Sequence, residues 1–360
     1  MKNSEIAKLR LHNQGLSQKI FKDPVDAVTQ LGAVQAQDYA GAKWALGQRL
    51  ADCSDAAIEN AFNKGKLLRT HILRPTWHFV TPADIHWMLL ISAPRVHTAN
   101  ASYYRKAGLD AATFKRTNAT IMKALRGGNQ LTRTEIASVL EKAGIPTGGE
   151  FRLIYIMMYA ELDGVICSGA RRGKQFTYAL LEERVPQVKV WAREEALAEL
   201  MKRYFTTRGP ATLQDFTWWS GLTMADAKNG MDMVKSEFIS EDINGQTFRF
   251  RESKSAPAGK LLTAHLLPNY DEYFIGFKDR SAIGEVIKKA NLAKDDSMLI
   301  ANLILLNGQV IGSWRRALKK ETVILELKPI NKPTKNEKEA IEHEAEKFGD
   351  FLGVSSTIAW

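Results

Sequence analysis

Between Thr132 and Leu181 the chain lays down a helix with both ends marked, a second helix, and two strand-like runs joined by a basic turn. Few folds accept that order. Thr132 stands three residues before Glu135, the pattern in which a hydroxyl takes one orphan helical N–H and a carboxylate takes the cap's own. Gly144 ends this helix, and Pro146 cannot continue it. The segment FRLIYIMMYAELDG is a second helix closed by Gly164, and VICSGARRGKQFTYALL reads as strand, turn, strand. Helix, turn, helix and a two-stranded ribbon is the order of a winged helix-turn-helix. In that arrangement the second helix of the turn unit can enter a groove while the hairpin lies along a polyanionic backbone.

The order partly recurs on either side. EEALAELMKRYFTTRG, TLQDFTWWSG and TMADAKNGMDMV predict three short helices, and FISEDINGQTFRF predicts a hairpin turning at Asn244-Gly245. Near the start, Asp23-Pro24 opens a helix carrying Val25, Val28 and Leu31, with Asp23 suited to the cap and Pro24 to the first helical position. Residues 55–65 give a further helix, KLLRTHILRPTWHFVTP a β-rich run broken at Pro75, and Asp84 to Ala93 another helix. From about residue 255 the texture changes. SKSAPAGK has the composition of a linker, the stretches around LLTAHLLPNYDEYFIGFKDR and Asn307-Gly308 predict strands, and KNEKEAIEHEAEKFGDFLG predicts an amphipathic helix with Ile341, Ala345, Phe348 and Leu352 on one side. The expected class is therefore α+β: three tandem winged helix-turn-helix units over 1–115, 116–188 and 189–254, then a β-rich unit over 255–360 with a terminal helix.

Composition narrows the partner. Lys and Arg number 50 against 40 Asp and Glu, a formal charge of +10 that favours a polyanion. Two cysteines, Cys53 and Cys167, make neither a framework nor a zinc site of ordinary spacing, which points to a reducing compartment. The first residues are polar and lack the apolar core of a signal peptide, and no apolar run approaches bilayer length. A cytoplasmic, nucleoid-associated protein without a membrane or obligate protein partner is expected. Neither GxGxxG nor GxxxxGK[ST] occurs, so no nucleotide cofactor is expected.

Four segments in sequence order, VQAQDYAGAKWALGQRL, LLRTHILRPTWHFV, LLPNYDEYFIGFKDR and NGQVIGSWRR, resemble the AlkZ-like (YcaQ-like) family of winged-helix DNA glycosylases over nearly the whole chain. The resemblance implies three winged helices and a β-rich domain curved around duplex DNA, and hydrolysis of the N-glycosidic bond of N7-alkylated purines, in some members within interstrand cross-links. The family signature is Gln-x-Gln, or Gln-x-Asp in a second branch. Here it falls on Gln35-Ala36-Gln37, which makes Gln35 and Gln37 the candidate catalytic pair. An N7-alkylated purine already carries positive charge and leaves readily. Two amide oxygens can hold and polarise a water without a titrating base, which suits so activated a substrate. No metal is implied.

Other candidates surround this pair. His78 and Thr76 are expected near the pocket, with Arg69 and Arg74 on phosphates; alternatively the run is a strand with Leu68, Ile72, Trp77 and Phe79 in the core. Arg171, Arg172 and Lys174 form the clearest basic cluster, on a predicted hairpin tip. Asp271 and Glu272, read as strand residues, point to opposite faces and cannot share an ion. The resemblance implies that Asp271 lines the DNA-facing cleft, with Lys278, Arg280, Arg315 and Arg316 adding to its positive field. Asp38 is a helix cap or a helping carboxylate, and Trp218, Trp219 and Trp314 are expected in the core. No lysine is placed as a Schiff-base nucleophile, so a monofunctional enzyme is expected. The rival class is a winged-helix DNA-binding regulator or architectural protein without chemistry.

Overall fold

The computed structural model describes residues 1–185, 189–252, 262–285 and 301–360. The linker-like SKSAPAGK segment lies outside them. After α1 (Asn3–Asn13) come α2 (Pro24–Leu31), β1 (Val34–Gln35), α3 (Tyr39–Gly47), α4 (Asp55–Asn63), β2 (Leu68–Ile72) and β3 (Thr76–Val80). The three strands form an antiparallel sheet in the order β1-β3-β2. A long helix, α5 (Ile85–Lys106), leads to α6 (Ala111–Leu125), β4 (Leu131–Thr132), α7 (Arg133–Lys142), α8 (Arg152–Leu162), β5 (Ile166–Ser168) and β6 (Thr177–Leu180). The sheet order is again first, third, second: β4-β6-β5.

A short helix, α9 (Leu181–Arg184), precedes α10 (Arg193–Arg208), α11 (Leu213–Ser220), α12 (Met224–Val234), β7 (Ile239–Ile243) and β8 (Gln246–Phe250). In this third set a single bridge, Ala211 to Arg249, takes the place of the first strand. Each set thus repeats helix, extended segment, two helices and a hairpin; the two helices and hairpin are the order anticipated for the middle of the chain, and the leading helix and extended segment add to it. The last part holds β9 (Ala264–Leu267), α13 (Glu272–Ile275), β10 (Asn302–Leu306), β11 (Gln309–Lys319), β12 (Thr322–Pro329), α14 (Lys335–Leu352) and β13 (Ser355–Ala359). Its five strands run β13-β12-β11-β10-β9, antiparallel except for β12 and β13.

Local chemistry explains the boundaries. Asp23 caps α2 by accepting from the N–H groups of Val25 and Asp26, and Ser54 caps α4 through Ala57 N. Reciprocal capping boxes at Thr132–Glu135, Thr212–Asp215, Thr223–Asp226 and Thr334–Glu337 start α7, α11, α12 and α14. Losing such a cap costs roughly 1 kcal/mol. Both hairpin dipeptides have positive φ at each residue, 52° and 77° at Asn244-Gly245 and 51° and 79° at Asn307-Gly308, as a tight twisted hairpin requires.

Three expectations change. The helix expected to stop at Ala93 continues through Pro94 to Lys106, because Ile91, Val96, Asn100 and Tyr104 bury along its length and packing overrides the one lost N–H. The tyrosine-flanked acidic run is no strand: after β9 the chain turns at Pro268, and Asp271 caps the short α13. Of the three tryptophans expected in the core, Trp314 and one of the tandem pair, Trp219, are sealed, while Trp218 is 37% exposed. Neighbours on one helix lie about 100° apart, so only one faces the core.

Hydrophobic cores are shared between parts of the chain. The first sheet and α2 to α4 pack with β10 to β12 and α14 through Phe62, Phe79, Trp314, Phe348 and Phe351. Helix α1 sends Ile6, Ala7 and Leu11 towards Leu267, Tyr273 and Val310, so it joins the C-terminal strands. The middle set has a core of its own around Phe114, Leu140 and Ile156. Among the described residues no helix is long and apolar enough to cross a membrane.

Candidate active site

Gly32, at φ 79°, ends α2 and turns the chain into β1, which carries Gln35. In the antiparallel ladder Gln35 stands opposite His78 and His78 opposite Thr70, so their side chains share one sheet face. Gln35 is 6% exposed and held at two points. Its backbone N–H donates to Glu272 Oε1 at 2.8 Å, and its Oε1 accepts from Arg74 Nη2 at 2.8 Å. Gln37, by contrast, is exposed, and its Oε1 receives only a long 3.4 Å contact from the Trp77 N–H. The neighbouring Asp38 caps α3 through Gly41 N at 3.0 Å and pairs with Arg316 at 3.2 Å.

The anchor beneath Gln35 comes from distant sequence. The Glu272 carboxylate is fully buried and also accepts from Arg208 Nη2 at 2.6 Å and Trp219 Nε1 at 2.8 Å. Arg208 in turn donates to Leu31 O and Ala33 O, at the entry to β1, and lies over the Trp219 ring. Asp271, expected to line a DNA-facing cleft, is instead buried, with both carboxylate oxygens 2.8 Å from Arg49. It cannot reach a duplex. The two acidic neighbours thus enter separate buried ion pairs, Asp271 holding the C-terminal unit to Arg49 beyond α3 and Glu272 holding it to Arg208 at the end of α10.

His78 is wholly buried beside Gln35 on the neighbouring strand, closed off from solvent. Burial, reinforced by the Arg74 charge, pushes its imidazole down to about 3, so the ring is neutral at physiological pH. Its Nδ1 lies 2.9 Å from Thr76 O, which fixes the proton there and leaves Nε2 an unpartnered buried acceptor. Arg69 also departs from the expected phosphate contact. Its guanidinium lies between the Trp77 and Phe176 rings, at 4.3 and 4.6 Å from their centroids, and donates to Ala36 O at 2.9 Å. It braces the backbone between the two glutamines. Arg74 likewise spends its contact on Gln35. His71, across the ladder from Trp77, closes on the buried Glu161 of α8.

The hairpin cations are arranged unequally. Arg171 lies near Tyr39 and Phe176, 4.9 Å from each centroid, and 3.5 Å from Glu59. Arg172 pairs with Glu135 at 2.7 Å. Lys174 is exposed and has no carboxylate partner among the described residues. Lys278 and Arg315 are exposed, whereas Arg280 is half-buried against Trp218 and Phe274. Of the expected cations, Arg69, Arg74 and Arg316 are the ones whose side-chain bonds reach residues 35 to 38 directly. Among the described residues no group of His, Cys, Asp and Glu is arranged to hold a metal ion.

Glu272 and Arg208 could not be picked out from the sequence. They lie 64 residues apart, and the only local hint was a pair of carboxylates inside an apolar run.

A Streptomyces sahachiroi protein described as an interstrand DNA cross-link repair glycosylase is 22% identical over 358 residues, covering 96% of this chain and 95% of its own. The solved structure of Streptomyces sahachiroi DNA glycosylase AlkZ superposes with a TM-score of 0.80 at 20% identity and covers both chains completely, which establishes the fold. Residues 28–351 match the family described as DNA glycosylase AlkZ-like, a span holding Gln35, Gln37, Arg74, Arg208 and Glu272. With nearly the whole sequence inside that match, the chain belongs to the AlkZ-like DNA glycosylase family.

Proposed function

We propose that this protein hydrolyses the N-glycosidic bond of N7-alkylated purines in duplex DNA, interstrand cross-links among them, with Gln35 and Gln37 placing the attacking water. Membership of a glycosylase family supports the reaction class, and the description of the Streptomyces relative supports cross-linked DNA as a substrate. The observation that carries the reading is the contrast within the pair. Gln37 is open to solvent, two residues from a Gln35 clamped at its backbone by the buried Glu272 and at its side chain by the half-buried Arg74. A group that must hold a reacting atom to within a fraction of an ångström needs such an anchor.

The three helix-and-hairpin sets, which we divide at 115, 188 and 254, grip the phosphate backbone, and the unit after 254 completes the cleft. Lys174, Lys278 and Arg315 are the exposed cations suited to phosphate contact. The leaving purine carries its own positive charge, so no general acid is needed, and no motif places a lysine as a covalent nucleophile. A protein acting on chromosomal DNA in this way works in the cytoplasm at the nucleoid.

The test is incubation with duplexes carrying N7-methylguanine or treated with a nitrogen mustard, scored for free base and abasic sites. The wild type releases base; a Gln35→Ala, Gln37→Ala double variant binds DNA normally and releases none. Binding without abasic sites on any alkylated duplex overturns the enzyme reading in favour of a DNA-binding regulator.

A further inference from the structure

The two glutamines are not equivalent. Arginine carries only donors, so whatever faces Arg74 Nη2 at 2.8 Å is the amide oxygen of Gln35. With Oε1 committed to the half-buried Arg74 guanidinium, Nε2 is the polar atom Gln35 has left to offer. It donates to no described residue and is not among the sealed unpartnered atoms, so the 6% of Gln35 still exposed includes it. Gln37 has the opposite character: the residue is exposed, and its oxygen is held only by the 3.4 Å contact from Trp77 N.

Resting on the glycosylase reading above but dividing the role it gives to both glutamines, we propose that Arg74 is a positioning residue that fixes Gln35 as a hydrogen-bond donor to the lesion nucleotide, and that Gln37, rather than the pair together, accepts from the attacking water. In the reaction the C1′–N9 bond breaks and its electron pair passes into the purine, neutralising the N7-alkyl cation. The water oxygen bonds to C1′ and releases one proton to solvent, to which Gln37 is open. Gln35 Nε2 donates to an acceptor atom of the lesion nucleotide, and Glu272, through Gln35 N, keeps the strand from which it does so in place. The buried pair of Arg208 and Glu272 stops that carboxylate from drifting towards Arg74.

The division of labour predicts unlike effects from the same substitution. Gln35→Glu removes the donor and sets a carboxylate against Arg74; release of N7-methylguanine from a duplex under single-turnover conditions falls by about 10²-fold or more. Gln37→Glu keeps an acceptor at the second position, so release stays within about 10-fold of wild type and acquires a rise with pH through the carboxylate range, roughly pH 4 to 5. Arg74→Met lowers the single-turnover rate by about 10 to 10²-fold with the DNA Kd changed less than about 3-fold, and Arg74→Lys, which restores one donor, recovers part of that loss. A merely structural arginine would not separate rate from binding in this way. Equal losses in Gln35→Glu and Gln37→Glu, or an Arg74→Met variant as fast as wild type, overturn the proposal while leaving the glycosylase reading intact. A wild type that releases no base overturns both.

Discussion

Glu272→Gln tests the anchor with one atom exchanged. The native carboxylate takes three hydrogens, from Gln35 N on Oε1 and from Arg208 Nη2 and Trp219 Nε1 on Oε2. An amide has one oxygen. If that oxygen stays with Arg208 and Trp219, the new NH2 group faces the Gln35 N–H and two donors collide. Turned over, it faces Arg208 instead. Either way Arg208, itself fully buried, loses its counter-charge. Stranding one member of a buried pair costs about 3 to 5 kcal/mol, against about 1 to 3 kcal/mol for an unmade neutral hydrogen bond, so the charge decides the size of the effect. We expect a loss of about 3 to 5 kcal/mol in urea unfolding followed by tryptophan fluorescence, with an unchanged denaturant slope. The double variant Glu272→Leu, Arg208→Met leaves the Leu31 and Ala33 carbonyls short of a donor but strands no charge, and regains part of the loss. A Glu272→Gln protein within about 1 kcal/mol of wild type, or a double variant as damaged as the two single losses combined, would refute the reasoning.

Two further outcomes follow from the same geometry. Because the His78 imidazole is held down to about 3 in the fold against 6.5 outside it, the unfolded chain takes up a proton first as pH falls. The contribution is therefore complete above about pH 6.5 and drains towards pH 3, by about 2 kcal/mol between pH 7 and 5. His78→Asn narrows the difference in urea stability between pH 7 and 5, and an undiminished difference contradicts the assignment. On the hairpin, Lys174→Ala lowers the slope of log K against log salt for duplex binding by about 1 and leaves saturated base release unchanged; an unaltered slope removes Lys174 from the DNA contact.

The pattern of elements was legible because it is written locally. The Thr132–Glu135 box, the helix-ending glycines and the two Asn-Gly turns act within a few residues, and their conformations are those the residue types favour without outside help. Where a longer-range force competes, local reading fails. Pro94 marked an end to α5 that burial along the helix cancelled, and the strand expected at Tyr270 to Tyr273 gave way to a turn and a short helix fixed by two buried ion pairs.

By itself the sequence determined the order of helices and hairpins, the excess of positive charge, and the Gln35-Ala36-Gln37 tripeptide, since each depends on neighbours in the chain or on composition alone. Only the tertiary structure decided which of those side chains are free to meet DNA. Arg69, Arg74, His78 and Asp271 look alike as polar candidates on paper, yet burial commits the first to two aromatic rings, the second to Gln35, the third to a neutral state beside it and the fourth to Arg49. The physical reason is desolvation. A charge removed from water must find a partner, and that partner, here up to 222 residues away, is chosen by the packing of the whole chain.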